Sequence, residues 1–94
     1  EINVACHNFY GHLCTMMNAH LCSAIPNFRI MEVDIDRIEW DHELYSHVPQ
    51  YKDGHLIMPD RPGWGTEPVE SALLNYPPLQ THGFLALGVK MDRA

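Results

Sequence analysis

The feature that most constrains the fold lies in residues 2–36, where hydrophobic periodicity switches from strand to helix and back to strand. Ile2, Val4 and Cys6 bracket a short, β-tolerant apolar stretch that ends abruptly in His7-Asn8. Residues 12–24 contain neither Pro nor Gly, and Leu13, Met16, Met17, His20, Leu21 and Ala24 recur at spacings of three and four. That spacing predicts an amphipathic helix with these residues, His20 included, packed inward. Pro26-Asn27 stops it, and a second buried strand is expected over residues 28–35, rich in β-branched and apolar side chains and running into Glu32, Asp34 and Asp36. Strand, helix and strand at these lengths make a βαβ unit, with parallel strands and a right-handed crossover.

A consequence for chemistry follows from topology alone. In open α/β sheets and in β/α barrels, active sites gather at the C-terminal ends of parallel strands. His7 ends the first strand and Glu32 lies at the end of the second, so the two are expected on one face.

Beyond Asp36 the pattern changes. Residues 37–49 carry Trp40, several charges and Pro49 and predict an irregular or short helical connection. Asp53-Gly54, flanked by residues 50–52 and 55–58, is the strongest short-range hairpin signal in the chain. DRPGWG, residues 60–65, reads as a rigid loop, and residues 67–75 read as a short helix ended by Pro77-Pro78. The tail, residues 79–94, could add a last strand. Three segments result: 1–36, 37–78 and 79–94.

Composition narrows the classes of function. A hydrophobic content of 46% with two Trp and four Tyr supports a packed core. Six Lys plus Arg against twelve Asp plus Glu, a net charge of −6, leave no basic patch for a nucleic-acid backbone. No apolar run approaches the roughly 20 residues of a membrane helix. Cys6, Cys14 and Cys22 are odd in number, which suits reduced thiols better than a disulfide framework, and Cys14 and Cys22, eight apart on one helix side, read as packing residues. No CxxC or HxxxH pair supports a structural zinc site. The expected compartment is therefore the cytoplasm.

Taken together, HNFYGHLCTMMNAHLCSAIPNFRIMEVDID, the Asp-Gly hairpin and PGWGTE resemble the end of an enolase-superfamily barrel of the mandelate racemase and muconate lactonizing enzyme group. The resemblance spans residues 4–78. It implies an α/β fold, the last βαβ unit of a modified (β/α)8 TIM-type barrel, followed by an excursion that packs on a capping domain, with Trp64 as an anchor. It also implies a piece of a larger enzyme. Since about 250 residues are usual for a closed barrel, the isolated chain is expected to fold poorly and lack activity.

Members of this group remove the proton beside a substrate carboxylate and hold the resulting enediolate with Mg²⁺, using a Lys or His base. The resemblance places the Mg²⁺ carboxylates on earlier barrel strands, so no metal ligand is expected among these residues. His7 matches the dehydratase-type base at the strand end, although those members usually carry Pro where this chain has Cys6. His12 matches racemase-type spacing and competes for the same role. Glu32 corresponds to the acid that hydrogen-bonds the substrate carboxylate, a task helped if burial raises its pKa. The implied substrate is a small carboxylate or sugar acid, dehydrated or, with the same residues, racemised or epimerised, in a homo-oligomeric parent. The alternatives are a catalytically silent homologue, solvated His42, His47, His55 and His82, and rim-capping roles for Asp34 and Asp36.

Overall fold

The structure, a computed structural model, describes residues 2–77. The chain is α/β, as expected. The expectations for residues 79–94 and for His82 lie outside the described residues.

Strand β1 (Val4–Cys6), helix α1 (His12–Ala24) and strand β2 (Phe28–Met31) form the βαβ unit. The strands pair in parallel with Val4 opposite Phe28, Ala5 opposite Ile30 and Cys6 opposite Met31, and the register slips once between Val4 and Ala5. Two further bonds extend the pairing at its ends, from the Val4 amide to the Asn27 carbonyl at 2.8 Å and from the Glu32 amide to the Cys6 carbonyl at 3.1 Å. The second of these holds Glu32 beside the residue that follows Cys6.

Helix α1 keeps the predicted bounds for a local reason. Pro26 disfavours helical backbone at the residue before it, and Ile25 is extended at φ −97°, ψ 139° while its amide still bonds the Leu21 carbonyl. Its inward face differs from the one expected. The buried positions are Thr15, Met16, Ala19 and Cys22, whereas Met17 and Leu21 are exposed and His20 is only half-buried. Small side chains let the helix approach the strand pair, and Cys22 meets Cys6 across that contact, its thiol donating to the Cys6 sulfur at 3.3 Å. Burial first, then the neighbouring Cys6, pushes the Cys22 thiol up to about 11. Cys14, read as packing with it, is half-buried.

The strands are less buried than the sequence suggested, and β2 ends at Met31, short of Ile35. Phe28 and Ile30 are exposed: α1 packs on β2, and the two residues line an open concavity of about 450 Å³ shared with Ala19, Tyr51, Leu56 and Met58.

The connection resolves into a 3-10 helix, Asp41–Leu44. Strands β3 (Gln50–Lys52) and β4 (His55–Ile57) form the antiparallel hairpin. Its turn has positive φ at both Asp53 (51°) and Gly54 (75°), the conformation that matches strand twist in a two-residue loop. Gly65, at φ 82°, closes the rigid loop, and a Cβ there would lie 2.5 Å from Pro59 Cγ. Residues 44–47 are then stitched to 66–69: the Ser46 amide bonds the Glu67 carbonyl, the Val69 amide bonds the Leu44 carbonyl, and the Thr66 hydroxyl donates to the His47 carbonyl. This stitching corrects the expected helix over 67–75. Pro68 pairs with Tyr45 as a bridge, so helix α2 spans only Glu70–Leu73. Tyr76 then stacks on Trp40 at 3.8 Å and donates to Glu43 at 2.7 Å.

Among the described residues no helix is long and apolar enough to cross a membrane.

Candidate functional site

The C-terminal ends of β1 and β2 bring His7 and Glu32 together. His7 Nδ1 donates to Glu32 Oε1 at 2.6 Å. The backbone amide of Asn8 donates to the same oxygen at 2.9 Å. Both follow from the parallel register: the Glu32 amide is held by Cys6, so the Glu32 side chain rises beside the next two residues of the first strand. Their side chains are 69% and 49% exposed, and an ion pair in that setting adds about 1 kcal/mol or less to stability. Its effect is on orientation. With Nδ1–H committed to a carboxylate, the neutral imidazole carries its lone pair on Nε2, the nitrogen left for a reacting group.

His7 and Glu32 line a concavity of about 330 Å³ together with Ala5, Cys6, Ile30 and Met31. Tyr10 meets the His7 ring edge-on with centroids 5.5 Å apart. Among the described residues the Glu32 side chain is half exposed, and its Oε1 meets two donors, His7 Nδ1 and the Asn8 amide.

His12, the competing base, occupies a different cluster. Its Nε2 lies 3.2 Å from Asp41 Oδ1, both side chains are 15% exposed, and its ring meets Tyr45 edge-on at 5.3 Å. The Arg37 guanidinium pairs with the other Asp41 oxygen, lies 3.7 Å from Asp34, and donates to the Tyr10 carbonyl at 2.8 Å. Among the described residues, neither a hydrogen bond nor an ion pair joins His12 to His7 or Glu32. Asp34 also caps the chain locally by accepting from the Asp36 amide at 2.9 Å, as a rim carboxylate would.

His20 is not the packed core histidine that was expected. Its Nε2 is 3.2 Å from the Trp64 carbonyl and its ring meets the Trp64 indole edge-on, so a polar partner draws it to the helix border. Trp64, 45% exposed, thus rests against α1. His42, His47 and His55 are exposed, as read.

The sequence reading missed three residues. Asp41 and Arg37 fix His12 and the loop through Tyr10, and nothing in local periodicity announces them. Asn8 is fully buried. The signal for it was present, in an Asn directly after a strand and two polar residues, Thr15 and Asn18, on a helix one turn in.

Among the described residues no group of three or more His, Cys, Asp or Glu could hold a metal ion. A complete Mg²⁺ site therefore does not fit on these residues.

Known proteins share this arrangement of elements. The family described as enolase C-terminal domain-like matches residues 1–72. Among curated proteins, the chain is similar to a D-xylonate dehydratase of Haloferax volcanii, 33% identical over 64 residues, which cover 68% of this chain and 16% of that protein. It is also similar to a D-galactonate dehydratase family member of Streptomyces bingchenggensis, 37% identical over 59 residues, covering 62% of this chain and 14% of that protein. The chain thus spans about a sixth of the length of these relatives. Two crystal structures of a Burkholderia xenovorans protein with the provisional name L-alanine-DL-glutamate epimerase, one bound to magnesium and fumarate, superpose with a TM-score of 0.81 at 64% identity. The match covers 84% of this chain and 20% of that one. From the family match over residues 1–72 and these relatives together, the chain belongs to the enolase C-terminal domain-like family, within the mandelate racemase and muconate lactonizing enzyme group that its motifs resemble.

Proposed function

We propose that this chain is the last βαβ unit of a (β/α) barrel and supplies one side of an active site that removes the α-proton of a small carboxylate, most directly a sugar acid that then loses water. The observation that carries the reading is the shared Glu32 Oε1, which accepts from both His7 Nδ1 and the Asn8 amide at the C-terminal edge of two parallel strands. His7 takes the α-proton on Nε2. The imidazolium that forms is stabilised through Nδ1–H by the Glu32 carboxylate, so charge develops next to a preorganised counter-charge. In dehydration the same imidazolium returns its proton to the departing β-hydroxyl, and water leaves. Glu32 Oε2, which has no partner among the described residues, is placed to meet a hydroxyl or a protonated oxygen of the substrate.

The two dehydratase relatives support the sugar-acid reading. Mg²⁺ enters the proposal through the magnesium-bound neighbour and the group resemblance, with ligands supplied from outside these residues. Epimerisation is the second reading, favoured by the provisional name of the 64% identical neighbour. It requires a second proton donor on the opposite substrate face, which His7 cannot be.

The test is solvent-deuterium incorporation at the α-carbon in the full-length enzyme with Mg²⁺, offered D-xylonate, D-galactonate and dipeptides. His7→Asn should lower exchange by about 10²–10⁴-fold, and His12→Asn should leave it. Formation of a 2-keto-3-deoxy acid identifies dehydration, and an epimer identifies the second reading. Exchange that survives His7→Asn and vanishes with His12→Asn would move the base to His12.

A further inference from the structure

We infer that Asn8 is the positioning residue of this rim: its buried carboxamide locks the first strand end to Glu32 and to helix α1, and so sets the distance and direction of the His7–Glu32 pair. This rests on the function proposed above and names a residue that the proton transfer itself does not use.

A carboxamide has two N–H donors and one carbonyl acceptor, and Asn8 uses all of them inside the protein. Its Nδ2 donates to Thr15 Oγ1 at 3.0 Å and to the Glu32 backbone carbonyl at 3.0 Å. Its Oδ1 accepts from Asn18 Nδ2 at 2.9 Å. With the backbone amide on Glu32 Oε1 and the Thr15 hydroxyl 3.5 Å from Oδ1, five bonds involve this one residue, and two of them end on Glu32, one at its carboxylate and one at its main chain. Asn8 is also the one residue among those described whose side chain is large and wholly sealed from solvent. A buried amide with every group satisfied is rigid, because any rotation strands a donor or an acceptor away from water.

His7 and Glu32 have no such support of their own. Both are substantially exposed and are joined to each other by a single contact. Exposed side chains sample several rotamers, and an acid–base pair works only within a few tenths of an ångström of its working geometry. The rigidity has to come from the adjacent residue. Asp at position 8 would keep the volume yet remove the two donors. Loss of the Thr15 hydroxyl would remove one anchor from the helix side, at a residue that does not line the concavity.

The experiment is kinetic, on the full-length enzyme with any 2-hydroxy acid whose α-proton the wild type exchanges. Asn8→Asp and Thr15→Val should lower kcat for exchange by about 10–100-fold with KM within roughly threefold, and should shift the pH limb that His7→Asn abolishes. Thr15→Ser, which keeps the hydroxyl, should restore kcat. Where Asn8→Asp does not fold, the Thr15→Val and Thr15→Ser pair decides. A purely structural role would lower the unfolding midpoint yet leave kcat per folded molecule and the pH limb unchanged, and that result overturns the inference. Equal losses in Thr15→Val and Thr15→Ser overturn it as well. Retention of exchange in His7→Asn, or no exchange in the wild type, defeats the catalytic reading instead, so the two failures are separable.

Discussion

Gly11 is the position where one added methyl has the most readable consequence. It is the N-cap of α1 at φ −68°, ψ 173°, backbone that alanine adopts without strain, so the unfolded-state entropy lost on Gly11→Ala favours the variant by about 0.4–1 kcal/mol. Space argues the other way. A Cβ at residue 11 would stand 2.5 Å from Tyr45 Oη and 3.6 Å from Tyr45 Cζ. An ordinary contact needs about 3.4 Å, so the hydroxyl must move by roughly 0.9 Å. Tyr45 cannot follow freely, since its backbone bridges Pro68 and its ring packs on His12. Overpacking of this kind costs about 1–3 kcal/mol, which outweighs the entropic gain and leaves Gly11→Ala destabilised by about 1–2 kcal/mol. The clash is with one oxygen, and in the Tyr45→Phe background the nearest ring atom already sits at contact distance. There the steric cost vanishes and Gly11→Ala should be close to neutral, the entropic gain set against the N-cap preference for Gly over Ala. Denaturant unfolding of the four variants of the full-length enzyme in a double-mutant cycle should return a coupling of about 1–2 kcal/mol. Equal destabilisation in both backgrounds, or a stabilising Gly11→Ala in the wild type, would refute the steric argument.

Cys22 should make stability fall in alkali. Its folded pKa is raised from 9.0 to about 11, so the folded state holds the proton more tightly and the stabilisation is complete below about pH 9 and lost as pH rises toward 11. Two units at about 1.4 kcal/mol each bound the loss at roughly 2–3 kcal/mol, and unfolding midpoints from pH 8 to 11 should show a slope that Cys22→Ala reduces. At the hairpin, Gly54→Ala should cost about 1 kcal/mol because residue 54 needs φ +75°, while Asp53→Gly, also at positive φ, should be tolerated; thermal midpoints distinguish the two. Asp41→Asn should leave the His7 pH limb in place while it lowers the unfolding midpoint, since Asp41 joins Arg37 to His12 and not to His7.

The parts of the fold that were legible are those written in local periodicity or turn chemistry. Residues 12–24 announced a helix by spacing and by Pro26, and Asp53-Gly54 announced the hairpin. The meeting of His7 with Glu32 was legible too, because parallel pairing puts both strand ends on one edge. What local pattern could not show was which helix face turns inward. Met17 and Leu21 are more apolar than Thr15, yet Thr15 is buried because Asn8, seven residues earlier, satisfies its hydroxyl. His12 was ambiguous for a similar reason. Its partner Asp41 is 29 residues away in a segment without periodicity. Residues 67–75 looked helical until Pro68 was claimed by Tyr45, a pairing between segments more than 20 residues apart.

The bonds around Asn8 have a consequence for how such a rim is inherited. Every partner of that side chain lies between residues 8 and 32, at sequence separations of 7, 10 and 24. The histidine, the acid and the carboxamide that aligns them therefore travel on one short block of chain. A recombination junction outside that block carries the geometry intact into a new protein, whereas a junction inside α1 would pair one parent's rim with another parent's residues 15 and 18. In a chimera, Thr15 and Asn18 of the helix would decide whether the transplanted histidine still points the right way.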